Sequence, residues 1–249
     1  MTDLKAQAQT LRDLHTGEML ILPNVWDAAS AAIVAEAGFP VIATASNAIA
    51  AMLGYPDGEI APWQEMFAAA SRIARAVDLP VTVDAEAGYG LPPTELVDRL
   101  LDLGAVGCNL EDTDHHTGTL KDPRAHADWL AAVRSAADAT GIPLVVNARI
   151  DAFLPASALP PAARLPEALH RAHLYAAAGA DCLYPIALRD KQSLEAFIKQ
   201  APTSVNANTG DSLDLATLRT LGAARVSYGP QFYRAALATL KSTLPQLNP

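Results

Sequence analysis

Alanine-rich runs with apolar residues at helical spacing alternate along this chain with short, nearly continuous apolar stretches. One phrase recurs: a helical run, a glycine, then an apolar stretch. It appears as Gly38 before Val41–Thr44, Gly104 before Val106–Glu111, Gly179 before Asp181–Pro185 and Gly222 before Arg225–Tyr228. A glycine just past a helix end takes the left-handed conformation that stops the helix. Each copy therefore reads as a helix followed by a strand, and the repetition predicts a parallel sheet. Met19–Val25, Val81–Asp84, Leu144–Arg149 and Thr203–Asn208 supply four further strand candidates.

Eight such units in 249 residues fit a closed (β/α)8 barrel, an architecture that uses ~250 residues as one unit. The open, doubly wound alternative loses ground because no Gly-x-Gly-x-x-Gly follows the first strand. No composition shift marks a boundary, so residues 1–249 read as one barrel domain. The proline-rich patch Leu154–Pro166 reads as a long loop after the fifth strand. Ala28–Leu53, the longest apolar stretch, is broken by Glu36, Gly38 and Pro40 and reads as helix, turn, strand and loop, not as a membrane span.

Composition narrows the partners. With 51% hydrophobic and 18% charged residues, the chain is not a disordered one. Its net charge of −9 comes with no basic stripe, which argues against nucleic acid or an anionic membrane as partner. Two cysteines, Cys108 and Cys182, are too few for a disulfide framework, and a cytoplasmic setting is expected. Met1–Asp13 is polar and mixed in charge, with no apolar targeting core.

In a barrel of this kind the chemistry lies at the carboxyl ends of the strands. There the third strand ends Asp84-Ala85-Glu86, the fourth Asn109-Leu110-Glu111-Asp112 and the fifth Asn147-Ala148-Arg149-Ile150-Asp151. Asp84, Glu86 and Glu111 are oxygen donors suited to a hard divalent cation such as Mg²⁺. Strand alternation puts Asp84 and Glu86 on one side; the competing reading makes them helix caps or solvated loop residues. Arg149 has the planar fork that grips a carboxylate, or pairs internally with Glu111 or Asp151. Asp27 reads as a helix cap. His115 and His116 lie in a solvated loop, and one of them is a candidate acid or base. Cys108 reads as core.

These segments resemble the isocitrate lyase/phosphoenolpyruvate mutase superfamily over nearly the whole chain. Asn24-Val25-Trp26-Asp27-Ala28-Ala29-Ser30-Ala31 is similar to its opening segment. Asp84-Ala85-Glu86-Ala87-Gly88-Tyr89-Gly90 is similar to its metal motif, Leu110-Glu111-Asp112 to its fourth strand end, and Ala148-Arg149-Ile150-Asp151-Ala152 to its fifth. The resemblance implies a Mg²⁺-dependent barrel enzyme, with Mn²⁺ as a substitute, acting on a small 2-oxo carboxylate through an enolate. It assigns Asp84 to the metal directly and Asp57, Glu86 and Glu111 to its waters. It assigns the backbone N–H groups of Ser46 and Asn47, with Arg149 and Asn208, to the substrate. Arg149, Glu111 and His116 are then the catalytic candidates.

The family's lyases carry Lys-(Lys/Arg)-Cys-Gly-His after the fourth strand. Here the segment is Thr113-Asp114-His115-His116-Thr117-Gly118-Thr119-Leu120-Lys121 and has no cysteine. The lyases' Glu after the sixth strand is Ile186, and Ala43 replaces the mutase's aromatic wall. The expectation is C–C cleavage or decarboxylation of a 2-oxo dicarboxylate. Its rivals are phosphonopyruvate hydrolysis or mutation, and a 2-oxo acid binding protein without turnover. A homo-oligomer, dimer or tetramer, is expected. Only Gln231–Leu244 follows the last strand as a helix, so the extra swapped helices of the family are expected to be lacking.

Overall fold

In a computed structural model, which describes residues 3–210 and 212–247, the apolar stretches form parallel strands that close on themselves. Strand β1 runs over Leu20–Leu22 and, after Pro23, over Asn24–Val25. Then come β2 (Ile42–Thr44), β3 (Val81–Asp84), β4 (Gly107–Glu111) and β5 (Val145–Ile150). The circuit ends with β6 (Cys182–Pro185), β7 (Ser204–Asn208) and β8 (Arg225–Ser227). The two halves of β1 close the barrel: Leu20–Leu22 pairs with β8 and Asn24–Val25 with β2. Pro23 breaks the strand because it has no N–H to give the ladder. The nine strand segments thus make the expected (β/α)8 barrel.

Helices α2 (Ala28–Glu36), α3 (Ser46–Leu53), α4 (Trp63–Arg75), α5 (Pro93–Asp102) and α6 (Pro123–Thr140) connect the strands. So do α7 (Pro161–Ala177), α8 (Lys191–Gln200) and α9 (Leu215–Leu221). The glycines of the recurring phrase have positive φ, 84° at Gly38 and 96° at Gly104. Asp27 caps α2 by accepting from Ser30 N at 2.7 Å, as its sequence position indicates. Every residue of β4 and β6 is buried, the pattern of strands covered on both faces.

The structure corrects three readings. The N-terminal segment, notable in the sequence only for its polarity, forms α1 (Leu4–Leu14). Ala8 and Leu11 of α1 are buried against Leu20, Val41, Val106 and Val145 at the strands' amino ends, with Leu4 and Leu14 packed alongside. Leu11 comes so close to Gly107 that a Cβ there would lie 2.7 Å from it. The proline-rich patch is only partly loop. Pro161 starts α7 and Pro166 lies inside that helix, where it forfeits one bond near the start. Ser46–Leu53 is a helix and not a loop.

After β8 the chain forms α10 (Gln231–Thr243), none of whose residues is buried. Phe232, Leu237 and Leu240 are among its exposed apolar side chains. No described helix is long and apolar enough to cross a membrane.

Candidate active site

The carboxyl ends of the strands surround a cavity of about 320 Å³. Ser46, Asn47, Asp57, Asp84, Arg149 and Asn208 all line it, with Asn109 and Tyr184. Glu86 and Glu111 stand behind that wall, 2% and 1% exposed.

Asp84 ends β3 and meets the start of α3. Its Oδ2 accepts from Ser46 Oγ at 2.7 Å and from Ser46 N at 3.2 Å, and Asn109 Nδ2 lies 3.5 Å from Oδ1. The cap residue of α3 is Ala45, which supplies no side-chain oxygen. Among the described residues no acceptor meets the N–H of Asn47. A helix start left bare in this way attracts an anion.

Glu86 does not share a strand face with Asp84, because β3 ends at Asp84. Glu86 sits in a turn with φ 48°, so strand alternation does not carry to it. It accepts from Tyr89 OH at 2.8 Å and from Glu59 N at 2.5 Å. Glu59 reciprocates by accepting from Ala87 N and Tyr89 N. The exchange ties the segment bearing Asp57 to the segment bearing Glu86. Burial pushes the Glu86 carboxyl up to about 7, against those hydrogen bonds.

Arg149 is the pivot of the fifth strand end. Its Nε and Nη2 donate to the two oxygens of Asp151 at 2.7 and 3.0 Å, and Nη1 pairs with Glu111 Oε2. Both internal pairings therefore exist together, and two of the five guanidinium N–H donors remain. Burial opposes the charge, but Asp151 and Glu111 more than offset it and hold Arg149 well above its ordinary value. Asp151 is anchored in turn. It accepts from Thr113 Oγ1, and its N–H donates to Asp112 Oδ1 at 2.8 Å. Asp112 also accepts from Arg171 at 3.0 Å and Tyr175 OH at 2.8 Å.

The segment after β4 is a short antiparallel ribbon, Thr113–Asp114 against Thr119–Leu120, whose turn, residues 115–118, carries both histidines and is largely exposed. His116, the catalytic candidate from the sequence, is exposed and does not line the cavity. His115 Nε2 lies 2.5 Å from Glu111 Oε1. Burial lowers the His115 pKa, but Glu111 overrides it and the net shift is upward. Burial likewise raises Glu111, against Arg149 and His115.

Three residues of this site, Tyr184, Asn109 and Glu59, were given no role by the sequence. Tyr184 receives Asn208 Nδ2 at 2.5 Å. Asn109 and Glu59 position carboxylates as described. His115 differs from His116 by one ribbon position that sequence alone does not resolve. For Asn109 a signal existed, since it is paired in register with Asp84 and Asn147, all facing the barrel interior.

Among the described residues no three Asp, Glu, His or Cys side chains converge as direct ligands. The oxygen donors present fit Mg²⁺, which takes one or two carboxylates and keeps its waters. Asp84, at the cavity wall, would offer the direct oxygen. Asp57, Glu86 and Glu111 add hard oxygens; burial raises Glu86 and Glu111, neighbouring carboxylates add to it, and a dication would favour their charged forms.

The model of the phosphoenolpyruvate phosphomutase family matches residues 11–248. An uncharacterized protein of Mycobacterium tuberculosis (strain H37Rv) is 32% identical over 223 residues, covering 90% of this chain and 82% of that protein. An oxaloacetate decarboxylase of Rhodopseudomonas palustris (strain BisB18) is 30% identical, covering 98% of this chain and 85% of its own. A crystal structure of a candidate phosphonomutase from Burkholderia cenocepacia J2315 superposes with a TM-score of 0.89 at 41% identity, covering 96% and 99% of the two chains.

Proposed function

The chain belongs to the phosphoenolpyruvate phosphomutase family, and we propose that it is a Mg²⁺-dependent carbon–carbon lyase acting on a small 2-oxo dicarboxylate. The observation that carries this reading is the unpartnered Asn47 N–H at the start of α3, beside Asp84 and facing Arg149 across one cavity. Asp84 would hold the metal directly, with Asp57, Glu86 and Glu111 around its waters. When bound, Mg²⁺ supplies Lewis-acid polarisation of the 2-oxo group.

The protein's own groups do the rest. The Asn47 N–H would receive the oxygen that gains charge as the C–C bond breaks, with the Ser46 N–H beside it. Such fixed donors cost no reorganisation at that moment. Arg149 grips a substrate carboxylate with its remaining N–H groups, and Asp151 and Glu111 hold its plane. The broken bond's electron pair passes to the 2-oxo carbon's side and gives an enolate, which a proton then quenches at C3. Loss of CO₂ needs no protein nucleophile. Both cysteines are buried, with burial pushing each thiol up to about 12, so neither serves as acid or base. His115, paired with Glu111 behind the cavity wall, is the candidate proton carrier. The R. palustris relative named as an oxaloacetate decarboxylase supports this class of reaction.

A second reading, C–P bond chemistry on a phosphonopyruvate, draws on the candidate phosphonomutase at 41% identity. A homo-oligomer belongs to the proposal, supported by the exposed apolar side chains of α10. The test is a panel of oxaloacetate, alkylated 2-oxo dicarboxylates and phosphonopyruvate with Mg²⁺ or EDTA. Release of CO₂ or a cleaved 2-oxo acid, abolished by EDTA, is expected. Phosphate release instead would establish the second reading. Binding with no turnover of any member would overturn both.

A further inference from the structure

Among the described residues Arg225 is the largest fully buried side chain, 1% exposed at the start of β8. Among the described residues it has no carboxylate within ion-pair distance, and its Nε and Nη1 find no acceptor. Burial lowers its pKa, with Asp84 among the groups that oppose the shift. An arginine kept charged in a barrel interior without a direct counter-ion is expensive, so its contacts call for a role.

Its one hydrogen bond crosses the barrel. Nη2 donates to Asn109 Oδ1 on β4 at 3.1 Å. Asn147 Nδ2 on β5 donates to the same oxygen at 2.8 Å. Two donors on that oxygen fix the amide: turning it over would set its NH₂ against a guanidinium and another NH₂. The Asn109 NH₂ is thereby aimed at Asp84 Oδ1, 3.5 Å away. The other oxygen of Asp84 is the one held by Ser46.

We propose that Arg225 is a positioning residue for the metal site, acting through the amide of Asn109 to set the direction of the Asp84 carboxylate. It touches neither substrate nor metal. It also brings a buried positive charge beneath a site crowded with carboxylates. The metal part of this inference rests on the function proposed above.

Two readouts test it, one of them independent of metal. The first is the side-chain amide resonance pair of Asn109 in ¹⁵N spectra of the full chain. The second is the Mn²⁺ dissociation constant by electron paramagnetic resonance. In R225M the Asn109 pair is expected to broaden and to lose exchange protection. Mn²⁺ should bind about tenfold more weakly or worse, the usual effect of losing a partner behind a metal ligand. R225K, which keeps a cation, should bind within about threefold of the parent protein, a rescue that a purely structural role would not give. If R225M does not fold, N147L takes its place, with a loosened Asn109 pair and Mn²⁺ binding about threefold weaker. An R225M or N147L protein with the parent's Mn²⁺ affinity and an unchanged Asn109 pair overturns the proposal. If the parent takes up no Mn²⁺, the metal reading fails while the amide resonances still decide the role of Arg225.

Discussion

Replacing Glu86 with glutamine should invert part of the protein's stability profile with pH. Glu86 is 2% exposed and its carboxyl moves from 4.5 to about 7 on folding. The folded state thus binds this proton more tightly than the unfolded state. The stabilising contribution is full below pH 4.5 and is lost as pH rises through about 7. At ~1.36 kcal/mol per tenfold, the full loss is about 3 kcal/mol, of which about 2.5 kcal/mol develops between pH 5 and pH 8. Two buried histidines oppose it. Burial lowers His15 to about 4 and His126 to about 3, so their stabilisation grows as pH rises through 6.5.

The parent's profile therefore mixes signs, and only the difference between parent and E86Q isolates Glu86. Glutamine keeps one acceptor where Tyr89 OH and Glu59 N–H need two, a constant cost of about 1 kcal/mol. In metal-free urea titrations the two proteins should be about equally stable at pH 5. At pH 8 the variant should be more stable by about 2 kcal/mol. Saturating Mg²⁺ should shrink that gap by favouring the charged carboxylate. A difference that does not change with pH would refute the reasoning.

Three further outcomes follow from the same geometry. R149K keeps the charge but loses the two-point grip on Asp151, and kcat should fall about a hundredfold with the fold intact by circular dichroism. H115Q should lower kcat, whereas H116Q, on the exposed turn, should leave steady-state kinetics unchanged; equal effects would contradict the placement of the ribbon. R171M strands the fully buried Asp112, and urea denaturation should register a loss of about 3–5 kcal/mol.

The barrel was legible because its signals are local. A helix-ending glycine such as Gly104 needs only its own backbone angle, and a doubly buried strand such as β4 needs only its own apolar side chains. The N-terminal helix was not legible in the same way. Its stripe of Leu4, Ala8 and Leu11 makes sense only against the barrel floor, including the close approach to Gly107. At the site, Asp84 and Arg149 end apolar strands and so announce themselves. Glu86 misled because a positive φ broke the alternation assumed for it. The choice between His115 and His116 depended on a ribbon two residues wide. Arg225 reads in sequence as a strand's first residue, and its reach to Asn109 across 116 positions is a product of barrel closure alone.

The central claim is a metal held at Asp84 that completes a site for a 2-oxo acid. It is tested most directly by titrating oxalate, a planar mimic of a 2-oxo acid's enolate, into the protein by calorimetry. Binding is expected with Mg²⁺, none with EDTA, and none by D84N under either condition. Oxalate binding that survives both EDTA and the D84N substitution would contradict it.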